Sequence, residues 1–536
     1  MTSFIVEPSF DGFHYRVCHF WMLTMKQTFI QNNNRIAKNT LLLYFRMIIT
    51  MLVSLYTSRV ILSTLGVEDY GIYNVVGGIV SMLGFLNGSM VTTTQRYITF
   101  ELGRGDYSKL QLVFNTCHLI LGGLSILIIL VAETIGLWFF YTQMQIPIDR
   151  MDAAFWVYQC SILTAVISIM SVPYNATIIA HEKMSAFAYI SIWEVALKLI
   201  IVYILLWTSM DRLILYAILV VGVQLLIRII YSLYCNRHFK ETKFMFVFNK
   251  SLMNEMFGFT GWNLFGNIAS VGMSSGVNIL LNIFFGPLVN AARGISGQVQ
   301  AAILQFSTNF QVALNPQITK LYAVGEYTAM NKLIERSCKL TFFLLLFLCL
   351  PVMLETELIF SVWLKEVPEY TVVFTRILLI SSLIDPVAGP LMVSAAATGK
   401  VKVYQSVVGG ILLAILPLSY IVLKLGGSPY SVLIVQIIVS VIAFIARLYI
   451  VSSMIRLSIR NFVHNVVCKC LFVAAIAVPI PAVIKYYMGG GWLPFCLVCI
   501  LSAFTVLVSS FYLGLDADER LFVKNKAHII LEKVKK

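Results

Sequence analysis

Long apolar segments follow one another along almost the whole chain, and the loops between them are short. Of the 536 residues, 59% are hydrophobic and 12% are charged, whereas soluble domains contain about 45–50% apolar and about 25% charged residues. A run of roughly 18 apolar residues can span a bilayer as a helix, and about fourteen such runs are present. We therefore predict an all-α integral membrane protein. The predicted segments are 39–64, 71–98, 112–140, 153–179, 186–208, 212–234, 255–284, 288–318, 333–353, 371–397, 403–424, 428–452, 464–485 and 491–514.

Lysine and arginine are distributed unequally between the loops of the two sides. One set of alternate loops holds only Arg150, Arg212, Lys365, Lys424 and Lys485. The other set holds many more: Lys26, Arg35, Lys38, Arg104, Lys109, Lys183, Arg237, Lys240, Lys243, Lys250, Lys320, Lys332, Arg336, Lys400, Lys402, Arg456, Arg460 and the basic tail. Because basic loops stay on the cytoplasmic side, we predict that both termini are cytoplasmic. The net charge of +14 then reflects membrane topology, and we expect no nucleic-acid partner.

A stretch of some forty residues occurs twice, separated by a constant offset of 220 positions. The matched elements are Leu65-Gly66 with Phe285-Gly286, Gln95 with Asn315, Thr99 with Thr319, and Gly105-Asp106-Tyr107-Ser108 with Gly325-Glu326-Tyr327-Thr328. Further along, Pro147, Pro173 and Lys183 correspond to Pro368, Pro390 and Lys400. Internal symmetry of this kind is typical of transporters. Each half holds an even number of predicted helices, so the two repeats enter the membrane from the same side and are parallel.

The repeat divides the chain into a simple series of segments. We predict a cytoplasmic segment at 1–38, an N-terminal six-helix bundle at 39–234, a cytoplasmic linker at 235–254 and a C-terminal six-helix bundle at 255–452. Two additional helices at 453–514 and a basic cytoplasmic tail at 515–536 complete it. Residues 1–24 do not resemble a signal peptide. Because Met25 precedes a polar, basic stretch, we expect the first 24 residues to be an upstream extension of little importance.

Charged residues within the predicted segments are the best pointers to function, because each costs about 2.5–3.5 kcal/mol at the centre of a membrane helix. Glu194 and Lys198 are four apart in the order that favours mutual pairing. Others lie near helix ends and can snorkel to the interface. The set is Arg46, Arg59, Glu133, Glu194, Lys198, Arg228, Arg293, Arg376, Asp385 and Arg447.

Three of the arginines are candidates for a binding site. Arg59 and Arg293 lie about five residues from the outer ends of their helices, or ~8 Å deep at 1.5 Å per residue, and Arg46 lies deeper. A guanidinium donates two parallel hydrogen bonds to phosphate, so a cavity with arginines at different depths suits an anionic headgroup. The alternative is that these side chains snorkel or bond helix carbonyls.

Polar residues collect on the second, seventh and eighth predicted segments. They suit the hydroxyls of a sugar, although polar groups also hold membrane helices together. The candidate contacts are Asn263, Asn267, Asn278 and Gln298. Of the acids, Glu133 and Asp385 are the two without an obvious partner in sequence, and they are weak candidates for coupling transport to an ion.

Signatures of an enzyme are missing from the sequence. There is no nucleotide-binding P-loop, no cluster of histidines at metal-binding spacing and no long loop with paired carboxylates. The ten cysteines are scattered in apolar segments and are interpreted as small hydrophobic residues. We therefore expect no catalytic residues, no metal and no cofactor, with an ion gradient, the membrane potential or the substrate gradient as the energy source.

Several stretches together resemble the Wzx-type polysaccharide flippases of the multidrug/oligosaccharidyl-lipid/polysaccharide exporter superfamily. They are 39–60, the motif Leu65-Gly66-Val67-Glu68-Asp69-Tyr70-Gly71-Ile72-Tyr73, Gln95-Arg96-Tyr97 followed by Gly105-Asp106, and Ala291-Ala292-Arg293-Gly294-Ile295-Ser296. The resemblance covers about residues 35–515. It implies two six-helix bundles in a V around a central cationic cavity lined by the first, second, seventh and eighth helices.

The resemblance also implies a function. Such a protein moves undecaprenyl-pyrophosphate-linked oligosaccharide from the cytoplasmic to the periplasmic leaflet of the bacterial inner membrane, for the synthesis of O-antigen, lipopolysaccharide or other surface polysaccharide. Arg59 and Arg293 match positions where relatives place cavity arginines. The expected partners are the lipid-linked oligosaccharide, membrane lipids and other polysaccharide-assembly proteins. Two alternatives stay open, which are a multidrug or cation antiporter of the same superfamily and a membrane-embedded polysaccharide polymerase.

Overall fold

The chain folds into helices joined by short connections. The computed structural model describes residues 35–524 except 37, 55, 58, 59, 62, 67, 68, 74, 75, 78–83, 144, 145, 209, 244, 246, 248, 365, 366, 490 and 522, and no β-strand occurs in that part of the chain. The helices are α1 (38–54), α2 (Gly84–Arg104), α3 (Tyr107–Val131), α4 (Leu137–Gln143), α5 (Met151–Ala180), α6 (Met184–Leu206), α7 (Arg212–His238), α8 (Lys250–Phe285), α9 (Pro287–Ala323), α10 (Tyr327–Leu354), α11 (Thr356–Trp363), α12 (Thr371–Ser382), α13 (Asp385–Thr398), α14 (Lys402–Leu413), α15 (Ile415–Lys424), α16 (Ser431–Ile455), α17 (Ile459–Phe462), α18 (Lys469–Ala477), α19 (Pro479–Met488) and α20 (Trp492–Ser509).

The described part of the chain contains ten helical stretches that are long and apolar enough to cross a membrane, and a bent pair adds an eleventh. The prediction of an all-α membrane protein is therefore confirmed. The first two of the fourteen predicted segments lie partly outside the described residues. The eighth corresponds to α9, which has 37 residues but is too polar to belong to the same set.

The tenth predicted segment is not one straight helix. Residues Thr371–Ser382 and Val387–Thr398 meet at an angle of 45°. Proline lacks the N–H that would continue the helix ladder, and Pro386 lies at the start of the second half. The prediction of a single segment at 371–397 is wrong in this respect.

Two groups of helices enclose two main apolar cores, the first of which also includes Met256 and Phe259 of α8. Helices α2, α3, α5, α6 and α7 share one core, and α9, α10, α13, α16 and α18 share another. The fully buried side chains at their centres include Leu121 and Ile178 in the first core and Leu391 and Val451 in the second. We call these groups, with the helices packed on them, the N-bundle and the C-bundle. Helix α2 contacts both α8 and α9 and so forms most of the junction between the bundles.

The repeat is visible in the backbone. Gly66 and Gly286, 220 positions apart, have φ angles of +82° and +78°. Gly105 and Gly325, also 220 apart, have φ angles of +73° and +81°. Left-handed conformations of this kind are uncommon and favour glycine, so their recurrence at the predicted spacing shows that the two halves are built alike.

The last two membrane helices pack on α10 of the C-bundle. Lys339 of α10 is 1% exposed and its ammonium lies 2.7 Å from Asp516 and 3.0 Å from Glu519, which follow α20. At the other end of α10, Lys485 lies 2.7 Å from the buried carboxylate of Glu355. Because a buried charge must be paired, these contacts fix the extra helices to the C-bundle.

Candidate functional site: a polar cleft between the bundles

Helix α9 carries a stripe of small and polar residues that is not covered by other protein atoms. Its exposed members are spaced three, four or seven residues apart and so share one helix face. They are Ala291, Gly294, Gln298, Ala301, Gln305 and Thr308. A membrane helix exposes apolar side chains where it meets lipid, and polar ones only where it meets water or another polar surface. The stripe therefore marks a side of α9 that does not face acyl chains.

Helix α8 carries a second stripe of the same kind, towards its C-terminal half. Its exposed polar members are Ser270, Ser274, Asn278 and Asn282. A different face of this half-helix exposes Ile268, Ile279 and Ile283, as expected for contact with lipid. Helix α8 thus separates a lipid-facing side from a hydrophilic side.

The stripes end where the two bundles come into contact. Asn267 donates a hydrogen bond of 2.8 Å to Ser89 of α2, and the hydroxyls of Thr93 and Thr260 lie 3.1 Å apart. We call the space above these contacts, bordered by the stripes of α8 and α9, the polar cleft, and the contacts its floor. Asn267 therefore lies at the bottom of the cleft.

Arg46, on α1 of the N-bundle, lies at the floor of the cleft and bonds residues of both bundles. Its Nη2 donates to Oδ1 of Asn309 at 3.1 Å, and its Nη1 donates to Oγ of Ser191 at 3.3 Å. The guanidinium also lies over the ring of Phe187, 4.7 Å from its centroid. Neither polar partner is a carboxylate, and the buried Nε has no partner among the described residues. The positive charge of Arg46 is therefore not neutralised by an ion pair there.

Arg293 lies on α9 one residue before Gly294 of the stripe. Its side chain is 9% exposed, and within the described part of the chain it makes no ion pair or hydrogen bond, with a buried Nε that lacks a partner. A Cβ placed on Gly297 would lie 3.4 Å from Nη1, so the guanidinium runs along its own helix. A buried, unpaired charge is costly, which makes Arg293 the strongest candidate for contact with an anion.

The other predicted contacts fall into two places. Asn278 and Gln298 are exposed in the two stripes. Asn263 is buried, and its Oδ1 accepts a hydrogen bond of 2.9 Å from Gln405, while its Nδ2 has no partner among the described atoms. Arg59 lies outside the described residues, as does the side chain of Asp385.

Glu133 lies apart from the cleft, in a π-helical turn at Ala132–Gly136 that interrupts the third predicted segment. Its Oε2 accepts a hydrogen bond of 3.3 Å from Gln159. The hydroxyl of Tyr158 donates to the carbonyl of Ala132 at 2.7 Å and so stabilises the turn. π-turns of this kind often occur at functional sites, but the contacts of Glu133 lie within the N-bundle.

Several charges pair outside the cleft. Lys198 and Glu194 lie 2.7 Å apart, which confirms the predicted pair. Arg376 lies 3.2 Å from Glu357, and Arg447 donates to the hydroxyl of Tyr404 at 2.8 Å. No group of three or more His, Cys, Asp or Glu side chains that could hold a metal occurs over the described residues.

The motif that follows the first segment has a structural role. Its Asp69 forms an ion pair with Arg150, which also pairs with Asp211 at the start of α7. Burial raises the pKa of the Asp211 carboxyl, but hydrogen bonds from Arg150 and from the first turn of α7 outweigh it and hold that pKa below its usual range. The motif thus ties together three connections of the N-bundle.

The bundles are closed against each other at one end. We call the end that carries Arg104, Lys183, Lys320 and Lys400 the basic end. Among the described residues, every hydrogen bond between the bundles lies between mid-membrane and this end. At the end itself a Cβ on Gly103 would lie 2.9 Å from Cα of Lys320, so α2 and α9 touch backbone to backbone. The polar cleft is therefore shut off from the basic end.

Known proteins resemble this chain in fold and not in sequence. No protein-family model matches the sequence, and no curated protein matches it. Solved structures align well. The structure of a MATE in complex with MaD3S aligns with a TM-score of 0.67 and 13% identity, over 79% of this chain and 97% of the MATE chain. The chain has the fold of the MATE transporters.

Two further structures extend this likeness. One is the outward-facing conformation of a multidrug resistance MATE family transporter of the MOP superfamily, with a TM-score of 0.66, 12% identity and coverage of 79% of this chain and 96% of its own. The other is a MOP superfamily transporter from Pyrococcus furiosus, with a TM-score of 0.64, 13% identity and the same coverage. At these identities the likeness shows the MATE fold and no more.

Five buried charges of this MATE-fold chain were missed by the sequence analysis: Arg96, Glu182, Glu241, Lys339 and Glu355. All are less than a tenth exposed. Glu182, Glu241 and Glu355 lie outside the long helices, where a charge is ordinarily explained by solvent, whereas Arg96 and Lys339 lie within α2 and α10. Glu182 had one usable signal, because it stands beside Lys183, which matches Lys400 in the repeat. Its own partner in the repeat is Gly399, and a carboxylate at a glycine position is unusual.

Proposed function

We propose that this protein is a flippase that carries undecaprenyl-pyrophosphate-linked oligosaccharide from the cytoplasmic to the periplasmic leaflet for surface polysaccharide synthesis. The observation that carries the proposal is the unpaired guanidinium of Arg293 on the border of the polar cleft. A diphosphate is the anion that such a group suits, because a guanidinium donates two parallel hydrogen bonds to phosphate oxygens. Arg46, which lacks a carboxylate partner, supplies a second positive charge deeper in the cleft.

The charge balance of the helices around the cleft supports an anionic substrate. The predicted first, second and eighth segments contain no aspartate or glutamate, and the seventh contains only Glu255 at its start. Glu255 accepts a hydrogen bond of 3.0 Å from Tyr97 near the basic end, below the cleft floor. A site for organic cations needs an acid in the cavity, and these helices do not provide one.

The polar stripes suit the oligosaccharide. Serine, asparagine and glutamine side chains of α8 and α9 present both donors and acceptors, which can bind sugar hydroxyls while the guanidinium of Arg293 holds the diphosphate. The lipid tail is expected to stay in the bilayer and to leave the cleft through a lateral gap. Contact residues in this proposal are Arg46, Arg59, Arg293, Asn263, Asn267, Asn278 and Gln298.

Alternating access follows from the closure at one end. Lys and Arg concentrate at the basic end, so the positive-inside rule places that end in the cytoplasm of the bacterial inner membrane. The structure would then be a state closed towards the cytoplasm, which agrees with its likeness to an outward-facing transporter. Rocking of the bundles would open the basic end, admit the headgroup and release it on the other side.

The multidrug antiporter is the second candidate, because a structural neighbour is a multidrug resistance transporter. In another neighbour, the MOP superfamily transporter from Pyrococcus furiosus, the reverse polarity of the binding pocket suggests a different function of that protein. The same fold therefore serves pockets of different charge. The polymerase alternative needs a large catalytic loop, and the connections between described helices are short.

Deletion of the gene separates these functions. A flippase mutant should accumulate the complete lipid-linked repeat unit on the cytoplasmic leaflet, where periplasmic glycosidases and lectins cannot reach it. A polymerase mutant should instead display single units outside, and an antiporter mutant should keep normal glycan but become drug-sensitive. Normal glycan display in the deletion strain would refute the proposed function.

A further inference from the structure

Glu182, in the turn between α5 and α6, links three parts of the molecule at the basic end. Its carboxylate lies 2.8 Å from Nε of Arg35 and 2.9 Å from Nζ of Lys320, and it accepts a third contact of 3.2 Å from Nε2 of Gln317. Its carbonyl accepts a hydrogen bond from Asn39 at 3.4 Å. The side chain of Glu182 is 1% exposed, whereas those of Arg35 and Lys320 are 50% and 26% exposed, so the carboxylate is buried and its cationic partners reach solvent.

The backbone of Glu182 is held in an unfavourable conformation. Its φ angle is +57°, in the left-handed region that a residue with a side chain rarely adopts. Gly399, the matching residue of the second repeat, has a φ of +76°. An αL residue other than glycine persists only when its surroundings hold it there. Backbone hydrogen bonds close the turn, from the N–H of Glu182 to the carbonyl of Ile179 at 2.9 Å and from the N–H of Lys183 to the carbonyl of Ile178 at 3.0 Å. The carboxylate contacts with Lys320 and Gln317, which belong to the other bundle, add to them.

The equivalent turn of the second repeat also contacts the other bundle, but through different chemical groups. Arg96 of α2 donates a hydrogen bond of 3.3 Å to the carbonyl of Ala397, and its guanidinium packs against the Gly399 turn. Thus each bundle places its turn against the long helix of the other. The contact at Gly399 uses a carbonyl, whereas the contact at Glu182 uses a full negative charge that another anion can replace.

We propose that Arg35, Gln317 and Lys320 form the first binding site for the diphosphate at the cytoplasmic opening, and that Glu182 occupies this site in the closed state. The inference rests on the proposed function and adds a second anion site, below the cleft floor. Diphosphate and Glu182 compete for the same donors. Binding of the headgroup displaces the carboxylate and holds the bundles apart, and passage of the headgroup into the cleft lets Glu182 return and close the end.

The competition explains why closure follows loading. A ligand that binds only the open state shifts the population towards that state. Once the diphosphate moves up to Arg46 and Arg293, the donors at the basic end are vacant, and the closed state regains its ion pairs.

The test measures the distance between the bundles in the full chain in lipid nanodiscs. Dyes are attached to clickable amino acids at the exposed positions Ser185 and Thr328, because the ten cysteines would complicate thiol labelling. Inorganic pyrophosphate is titrated into the native chain and into Glu182→Gln, with sulfate as the comparison anion. The matched control is Glu241→Gln, since Glu241 is equally buried in the same layer but pairs with His181 of its own bundle.

We expect Glu182→Gln to lengthen the dye separation and Glu241→Gln to leave it unchanged. If the open state is a tenth of the native population, the half-saturating pyrophosphate concentration should fall by about tenfold in Glu182→Gln, because apparent affinity scales with the competent fraction. Lys320→Gln should also open the basic end but should weaken the response to pyrophosphate. This pattern supports both the role of Glu182 in holding the basic end closed and the anion site that it shares with diphosphate.

Two results overturn the inference. If Glu182→Gln keeps the native dye separation, Glu182 does not hold the basic end closed. If it opens but responds to pyrophosphate at the native concentration, the carboxylate and the anion do not share donors. The proposed function is tested separately, by transport in proteoliposomes. A native chain that does not move lipid-linked oligosaccharide is no flippase, whatever the dye separation is. A native chain that transports it but whose dye separation does not respond to pyrophosphate keeps the proposed function and refutes the shared anion site.

Discussion

Arg46 and Asn309 join the two bundles at mid-depth through a hydrogen bond of 3.1 Å between Nη2 and Oδ1. The same guanidinium is bonded to Ser191 within its own bundle, so it connects α1, α6 and α9 at one point. Because no carboxylate takes part, the contact holds the bundles together without cancelling the charge. An anion that reaches the cleft floor therefore meets a cation that is already positioned.

Variants at this contact should separate its two roles. Asn309→Ala removes the link but keeps the guanidinium, whereas Arg46→Ala removes both. A hydrogen bond to a charged group contributes about 1.5–3 kcal/mol, so both variants should favour the open state by about tenfold or more. If Arg46 also binds the headgroup, transport should fall further in Arg46→Ala than in Asn309→Ala. Equal transport rates in the two variants would mean that Arg46 only connects the bundles.

Gly103→Ala should prevent full closure of the basic end. The added Cβ would lie 2.9 Å from Cα of Lys320 and 3.1 Å from Cβ of Ala323, so α9 must move. Gly123 in α3 has no atom within 4 Å of its added Cβ, and Gly123→Ala is the control. Alanine in place of a helical glycine otherwise stabilises by roughly 0.5–1 kcal/mol. Dye separation at positions 185 and 328 should increase in the Gly103 variant alone; an unchanged separation would contradict the close contact of α2 with α9.

The ion pairs of Arg150 should make stability depend on pH. The pKa of Asp211 is lowered in the folded protein, so its contribution is present above the usual carboxyl pKa of about 3.9 and is lost as the pH falls below it. An exposed pair of this kind contributes about 1 kcal/mol or less. Asp211→Asn keeps the helix cap and should lower the melting temperature at pH 7 but not at pH 3. A difference that is the same at both pH values would rule out this pairing as the cause.

Gly136→Ala should disrupt the π-turn that carries Glu133. An added Cβ would collide with the hydroxyl of Tyr158, which is fixed by its bond to the carbonyl of Ala132. We expect a lower melting temperature, and Gly136→Ala combined with Tyr158→Phe should recover part of the loss because the colliding oxygen is gone. A transport defect that persists after this recovery would support a role for Glu133 in coupling; full transport in the single variant would argue against one.

The membrane class and the repeat could be predicted from sequence because both depend on local patterns. Apolar runs report burial in lipid, and the pair Gly105 and Gly325 reports a turn that needs a positive φ. Contacts between distant segments could not be predicted in this way. Glu182 lies 138 residues from Lys320, and no periodicity links a loop carboxylate to a lysine on another bundle. The bend within the tenth segment was missed because the apolar run continues on both sides of Asp385-Pro386.

Arg46 and Arg293 show the same difference between what local patterns predict and what distant contacts decide. The sequence identified Arg46 and Arg293 as charges that local pairing does not explain, and the structure leaves both without a carboxylate among the described residues. It did not predict that Arg46 would bond Asn309, since that contact depends on how the bundles meet. Likewise, Asn263 was expected to face substrate, but one of its polar atoms is bonded to Gln405 of the same bundle.

Transport by Arg293→Ala tests the central claim most directly. The purified native chain, Arg293→Ala and Arg293→Lys are reconstituted into proteoliposomes with lipid-linked oligosaccharide, and the fraction that becomes accessible to an external glycosidase is followed with time. Arg376→Ala is the control, because Arg376 pairs with Glu357 outside the cleft. Loss of a charged hydrogen bond of about 1.5–3 kcal/mol should slow transport by about tenfold or more in Arg293→Ala, with partial activity in Arg293→Lys and near-native activity in Arg376→Ala. A native rate in Arg293→Ala would contradict the account.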